Sequence, residues 1–121
     1  IIKKFGWKEL KKAPVGSWLN YENCDMEFID IRENIKYLKF GYGRATDQLS
    51  IALRHNLIKR NNAVKIANRI DGKFKNNNIN KFCKFIGLTK KEYLSIISSF
   101  VNRELFYKNN KDTWVPKFKI K

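Results

Sequence analysis

Apolar residues recur along this chain at spacings of three and four, separated by short polar links. Phe28, Ile31, Ile35 and Leu38 share one helical face, with Asp30, Arg32, Glu33 and Lys36 mainly between them. The spacing predicts a helix that Asp25 can cap and that ends before Gly41. A second helix is expected from about Ala45 to His55, with Leu49, Ala52 and Leu53 on one side. After a connection from Asn56 to Arg60, Ala63, Ile66, Ala67 and Ile70 mark a third, stopped at Gly72. Lys73 to Asn78 reads as a polar loop, and Asn80 to Ile86 as a short helix closed by Gly87. Thr89-Lys90-Lys91-Glu92 has the pattern of a capping box, in which hydroxyl and carboxylate each serve a free backbone donor. Tyr93, Ile96, Ile97, Phe100, Val101 and Leu105 then carry one apolar face for several turns.

The two ends lack this periodicity. Residues 1–24 mix aromatics with the turn residues Pro14 and Gly16, and Ser17 can cap a short helix through Trp18, Leu19 and Tyr21. The tail from Tyr107 to Lys121 alternates Phe118 and Ile120 and contains Pro116, so it is an extended segment or a short hairpin. The fold class expected is all-α: a compact bundle of about five helices with an irregular aromatic N-terminal segment and an extended C-terminal tail. Residues 1–121 read as a single helical domain.

Composition changes this picture in two ways. No apolar run approaches the roughly 20 residues that span a bilayer, and the opening Ile1-Ile2-Lys3-Lys4 has neither an initiator Met nor a signal-peptide pattern. The chain therefore reads as the interior of a longer, cytoplasmic protein without a membrane partner. The formal charge of +15 invites a nucleic-acid reading. However, lysine outnumbers arginine 20 to 6, and no helix stacks its basic residues with exposed aromatics between them. A solvated basic surface is the better account, and nucleic acid is a minor alternative. Cys24 and Cys83 lie far apart and in no Cys-x-x-Cys pair, as expected of reduced thiols.

Candidate chemistry concentrates in Lys39-Phe40-Gly41-Tyr42-Gly43-Arg44-Ala45-Thr46-Asp47. Two glycines permit a sharp turn, a helix N-terminus follows with its free N–H groups, and Arg44 adds a planar donor fork. Such a turn can hold a phosphate or a sugar. The plainer reading is a tight helix–helix turn in which Thr46 or Asp47 caps. Arg54 lies close to three helical turns beyond Arg44, about 15 Å along the axis, and Arg60 precedes the next helix. Asp25, Glu27, Asp30 and Glu33 form an acidic cluster, for which a salt-bridged solvent face with Arg32 and Lys36 outweighs metal binding. His55, the only histidine, has no identifiable catalytic partner, and no catalytic residue is assigned. For Trp7, Trp18, Tyr21 and Phe28, a place in the core outweighs a sugar pocket.

Gly6-Trp7, Gly16 to Asn23, Ile31 to Asp47, Ile51 to Asn56 with Arg60 and Ala63, and Asp71-Gly72 together resemble the C-terminal part of N-acetyl sugar amidotransferases. These enzymes belong to the ATP-pyrophosphatase (PP-loop) superfamily and act in bacterial surface-polysaccharide and nonulosonic-acid pathways. The resemblance implies that ATP, with Mg²⁺ on its phosphates, activates the acetamido carbonyl of a sugar or sugar nucleotide. Ammonia from glutaminase and cyclase-like partners then leaves an acetamidino group. The Ser-Gly-Gly-x-Asp-Ser type of nucleotide loop is absent from this sequence, so this chain alone is expected to bind no ATP. The implied role is acceptor binding by Lys39, Gly41, Tyr42, Gly43, Arg44, Asp47, Arg54 and Arg60. The alternatives are a basic nucleic-acid-binding domain and a partner-docking module without catalysis.

Overall fold

A computed structural model describes residues 2–121, with side chains from Lys4 onward; Ile1 lies outside the described residues. A short helix, α1 (Ile2–Phe5), precedes a long irregular segment. Five helices follow: α2 (Ile29–Phe40), α3 (Arg44–Arg54), α4 (Arg60–Ile70), α5 (Asn76–Ile86) and α6 (Lys90–Phe100). The tail folds back as an antiparallel hairpin of β1 (Phe106–Lys108) and β2 (Trp114–Pro116), with Tyr107 opposite Val115. The fold is thus mostly helical, as the periodicity predicts, and the tail takes the hairpin alternative.

Four local expectations are corrected. Ser17 to Tyr21 form no helix; their backbone is held by a side chain of α3 instead. Asp25 does not cap α2, which begins at Ile29 after Phe28 without a side-chain cap. Asn76 to Asn78 belong to α5 rather than to a loop. Asp30 explains this, because its carboxylate accepts from the Lys75 N–H at 2.8 Å and from the Asn78 side chain at 3.0 Å, giving the helix start a cap from α2. Finally, α6 stops at Phe100, so Val101 and Leu105 reach the core from outside the helix.

The interior has two parts. Ile31, Leu38, Ile79, Cys83, Tyr93, Ile97, Val101 and Phe106 form one cluster between α2, α5, α6 and the hairpin. Burying each large member contributes roughly 2 kcal/mol. Ala45, Leu49, Ala63 and Ala67 form the other, between α3 and α4. The tail joins the two: Phe118 packs on the first cluster and Ile120 on the second. Asn68 of α4 secures it, accepting from the Ile120 N–H at 3.1 Å and donating to its carbonyl at 3.0 Å. The capping box at Thr89 forms as its spacing predicts.

Candidate functional site

Gly41 closes α2 by donating to the Tyr37 carbonyl at 2.7 Å, and α3 begins three residues later. Gly43, at the N-cap of α3, has no side chain to serve the free N–H groups. Asp71, just beyond the end of α4, does so instead. Its carboxylate accepts from the N–H of Gly43 at 2.9 Å, the N–H of Ala45 at 3.1 Å and the Thr46 hydroxyl at 2.6 Å. The anion expected at this helix start is therefore a carboxylate of the chain itself. A Cβ on residue 43 would lie 2.7 Å from an Asp71 carboxylate oxygen, which explains the glycine there. Gly72 is needed for a different reason. Its φ is +70°, and a Cβ would fall 2.2 Å from the Tyr37 ring.

Two polar networks flank this turn. On one side, Arg44 pairs with Glu22, which also accepts from the Gln48 amide at 2.9 Å. Gln48 is 3% exposed. Its oxygen accepts from the N–H of Trp18 at 2.7 Å, the N–H of Leu19 at 3.1 Å and the Ser17 hydroxyl at 3.1 Å. This network fixes the irregular N-terminal segment on α3. The Nε of Arg44 is buried without a hydrogen-bond partner.

On the other side, Lys36 pairs with Asp47 and lies 3.8 Å from a Glu33 oxygen and 4.7 Å from the centre of the Tyr42 ring. That ammonium sits between two carboxylates and against an aromatic face. Glu33 is buried and also accepts from Arg32 at 2.7 Å, while its second oxygen has no hydrogen-bond partner. Asp30 is buried as well. Of the acidic stretch, Asp25 and Glu27 are exposed as expected and Glu33 makes the expected pairs with Arg32 and Lys36, whereas the burial of Asp30 and Glu33 departs from a solvated face. Both carboxylates turn inward because they bind groups of other segments or cations of their own helix.

The structure brings together Gly41, Tyr42, Gly43, Arg44 and Asp47 at one turn. Asp47 pairs with Lys36 and not with Arg44. Tyr42 and Lys39 are exposed, and Lys39 lies 5.2 Å from the centre of the Phe40 ring. Arg54 is at the far end of α3, exposed, and Arg60 donates to the Lys121 carbonyl at 2.8 Å. These two arginines stand apart from the turn. Sequence reasoning missed Glu22, Lys36, Gln48 and Asp71 as members of the site. Asp71 carried a signal: an acidic residue just past a helix C-terminus opposes the helix dipole, so its place there points to a role elsewhere.

A separate cleft of about 340 Å³ opens between α2, the start of α5, α6 and the hairpin. Tyr93 lines it, and burial pushes its phenol up to about 12, helped by Cys83 and Asp30. Among the described residues, no three His, Cys, Asp or Glu side chains gather to hold a metal ion. Among the described residues, no helix is long and apolar enough to cross a membrane.

No curated protein shows significant similarity to this chain. The sequence model of one family, described as "LPS biosynthesis protein WbpG-like, C-terminal domain", matches residues 2–120. The match runs through every helix and the hairpin, and the chain belongs to the WbpG-like C-terminal domain family of LPS biosynthesis proteins.

Proposed function

We propose that this domain, within the polysaccharide-biosynthesis role of its family, is the acceptor-binding region of an ATP-dependent N-acetyl sugar amidotransferase. The observation that carries the reading is the family match over residues 2–120, which spans the turn from Lys39 to Asp47. The geometry supports a sugar-binding role there. Tyr42 offers an exposed ring, and Asp47 is about one-third exposed, with lone pairs beyond those used by Lys36. Carboxylates of this kind accept hydrogen bonds from hydroxyl groups, and a ring face packs on the apolar side of a sugar.

ATP and Mg²⁺ are given no site at the start of α3, where Asp71 already takes the free N–H groups. Both belong, in this reading, to the longer cytoplasmic enzyme of which this domain forms the C-terminal part. Glutaminase and cyclase-like partners supply ammonia there.

The test uses the full-length enzyme. Tyr42→Ala, Lys39→Ala and Asp47→Asn are expected to raise KM for the sugar about tenfold, about 1.4 kcal/mol, with the domain still folded. An unchanged KM in all three would remove the site from this turn. Arg44→Ala is a poorer probe, because it also removes the partner of Glu22.

A further inference from the structure

The cleft between the helices and the hairpin is lined by none of the residues proposed above for the acceptor. Its volume of about 340 Å³ suits a small molecule, since such sites enclose roughly 300–1,000 Å³. The floor is apolar, formed by the buried Leu38, Ile79 and Ile97. Two aromatic residues stand beside it. Phe74 is about one-third exposed and belongs to neither core cluster. Trp114 is half-buried against the first cluster, with the Lys108 ammonium 5.3 Å and the Arg103 guanidinium 5.5 Å from its ring centre.

The rim is basic. Lys90, Lys108 and Lys111 line the cleft with one carboxylate, Asp112. Lys108 is paired with Asp112 at 2.7 Å. Lys90 and Lys111 make no ion pair among the described residues. Tyr93 adds no opposing charge, because its phenol stays protonated until about pH 12. The cleft therefore combines apolar surface, aromatic side chains and two uncompensated ammonium groups. A neutral sugar would leave those charges unused, and inorganic phosphate would leave the rings uncovered.

We propose that this cleft binds a phosphorylated, ring-bearing small molecule, with Phe74 and Trp114 against the ring and Lys90 and Lys111 on the phosphate. Charge-assisted bonds from the lysines supply the selection for phosphate. The ring and its phosphate are features that a nucleotide and a sugar phosphate share. The assignment goes beyond the acceptor reading and does not depend on Tyr42 or Lys39.

The test is a magnetic-resonance titration of the isotope-labelled chain with four probes: uridine diphosphate, N-acetylglucosamine 1-phosphate, inorganic phosphate and N-acetylglucosamine. One of the first two is expected to shift the indole N–H of Trp114, but not those of Trp7 or Trp18. The last two should bind about tenfold more weakly or not at all. The stronger of the first two probes identifies the source of the ring. Lys90 and Lys111 are exposed, so replacing both with alanine should weaken binding about tenfold and leave the fold intact. No shift at Trp114, or shifts spread over all basic surfaces equally for inorganic phosphate, would overturn the proposal. If that happens while Tyr42→Ala still raises KM in the full-length enzyme, the cleft falls and the acceptor reading stands.

Discussion

The two core clusters are built on opposite plans. Between α2, α5, α6 and the hairpin, large side chains interlock. Tyr37 and Phe106 meet edge-on at 5.2 Å, Phe106 and Phe118 at 5.7 Å, and Phe82 and Tyr93 at 6.0 Å. Between α3 and α4 the buried residues are Ala45, Ala63 and Ala67 around Leu49. Alanine adds little area but lets two helices approach closely. The first region is held by the volume of its side chains. The second is held by close contact and by polar ties at its ends, Asp71 and Gln48. The difference bears on where ligands can go. Large, irregular side chains leave a cleft of about 340 Å³ beside them, whereas the hollow along the alanine seam, lined by Leu49, Ala63 and Ala67, holds about 130 Å³.

Removing volume should hurt the first region most. Phe106 is 1% exposed, and Phe106→Ala is expected to cost about 4 kcal/mol, measured by urea denaturation. Adding volume should hurt the second. Ala45 has no exposed surface, and Ala45→Leu is expected to cost about 2 kcal/mol by overpacking. A neutral result for Ala45→Leu would mean that the seam is loose and the contrast false. Asp71→Ala, which removes a cap without touching either cluster, should cost about 1 kcal/mol. At neutral pH the smallest effect is that of Tyr93→Phe. The folded phenol titrates at about 12 against 10.0 unperturbed. Its contribution is therefore fully present below pH 10 and is lost as pH rises through about 12. The wild-type chain should lose stability over that window, and Tyr93→Phe should lose less. The α3–α4 cluster contains no tyrosine, so an equal loss in the variant would place the alkaline sensitivity elsewhere.

What could be read from the sequence was local. The capping box at Thr89 lies within four residues, and both of its partners are visible together. The faces of α3 and α4 follow from spacing alone, whereas of the face expected for α6 only Tyr93 and Ile97 are buried and Ile96 and Phe100 are exposed. The start of α5 was not legible, because an asparagine run is a poor helix former and its support comes from Asp30, 45 residues away from Lys75. The turn at residues 41–47 was legible as a place but not as a mechanism. Its glycines and Arg44 mark it, yet the partners Asp71, Glu22 and Lys36 come from three other segments. Arg54 and Arg60 looked equivalent to Arg44 by residue type, and only the fold separates them.

The Asp71 carboxylate has a consequence for motion. It joins the residue after α4 to the first turn of α3, so neither of those helix ends can fray without releasing the other. The amides of Gly43 and Ala45 should exchange with solvent only when the end of α4 opens, at one shared rate. The turn that offers Tyr42 would then move with α4 rather than as an independent loop. A ligand gripping Tyr42 would slow exchange at the end of α4, beyond the residues it touches.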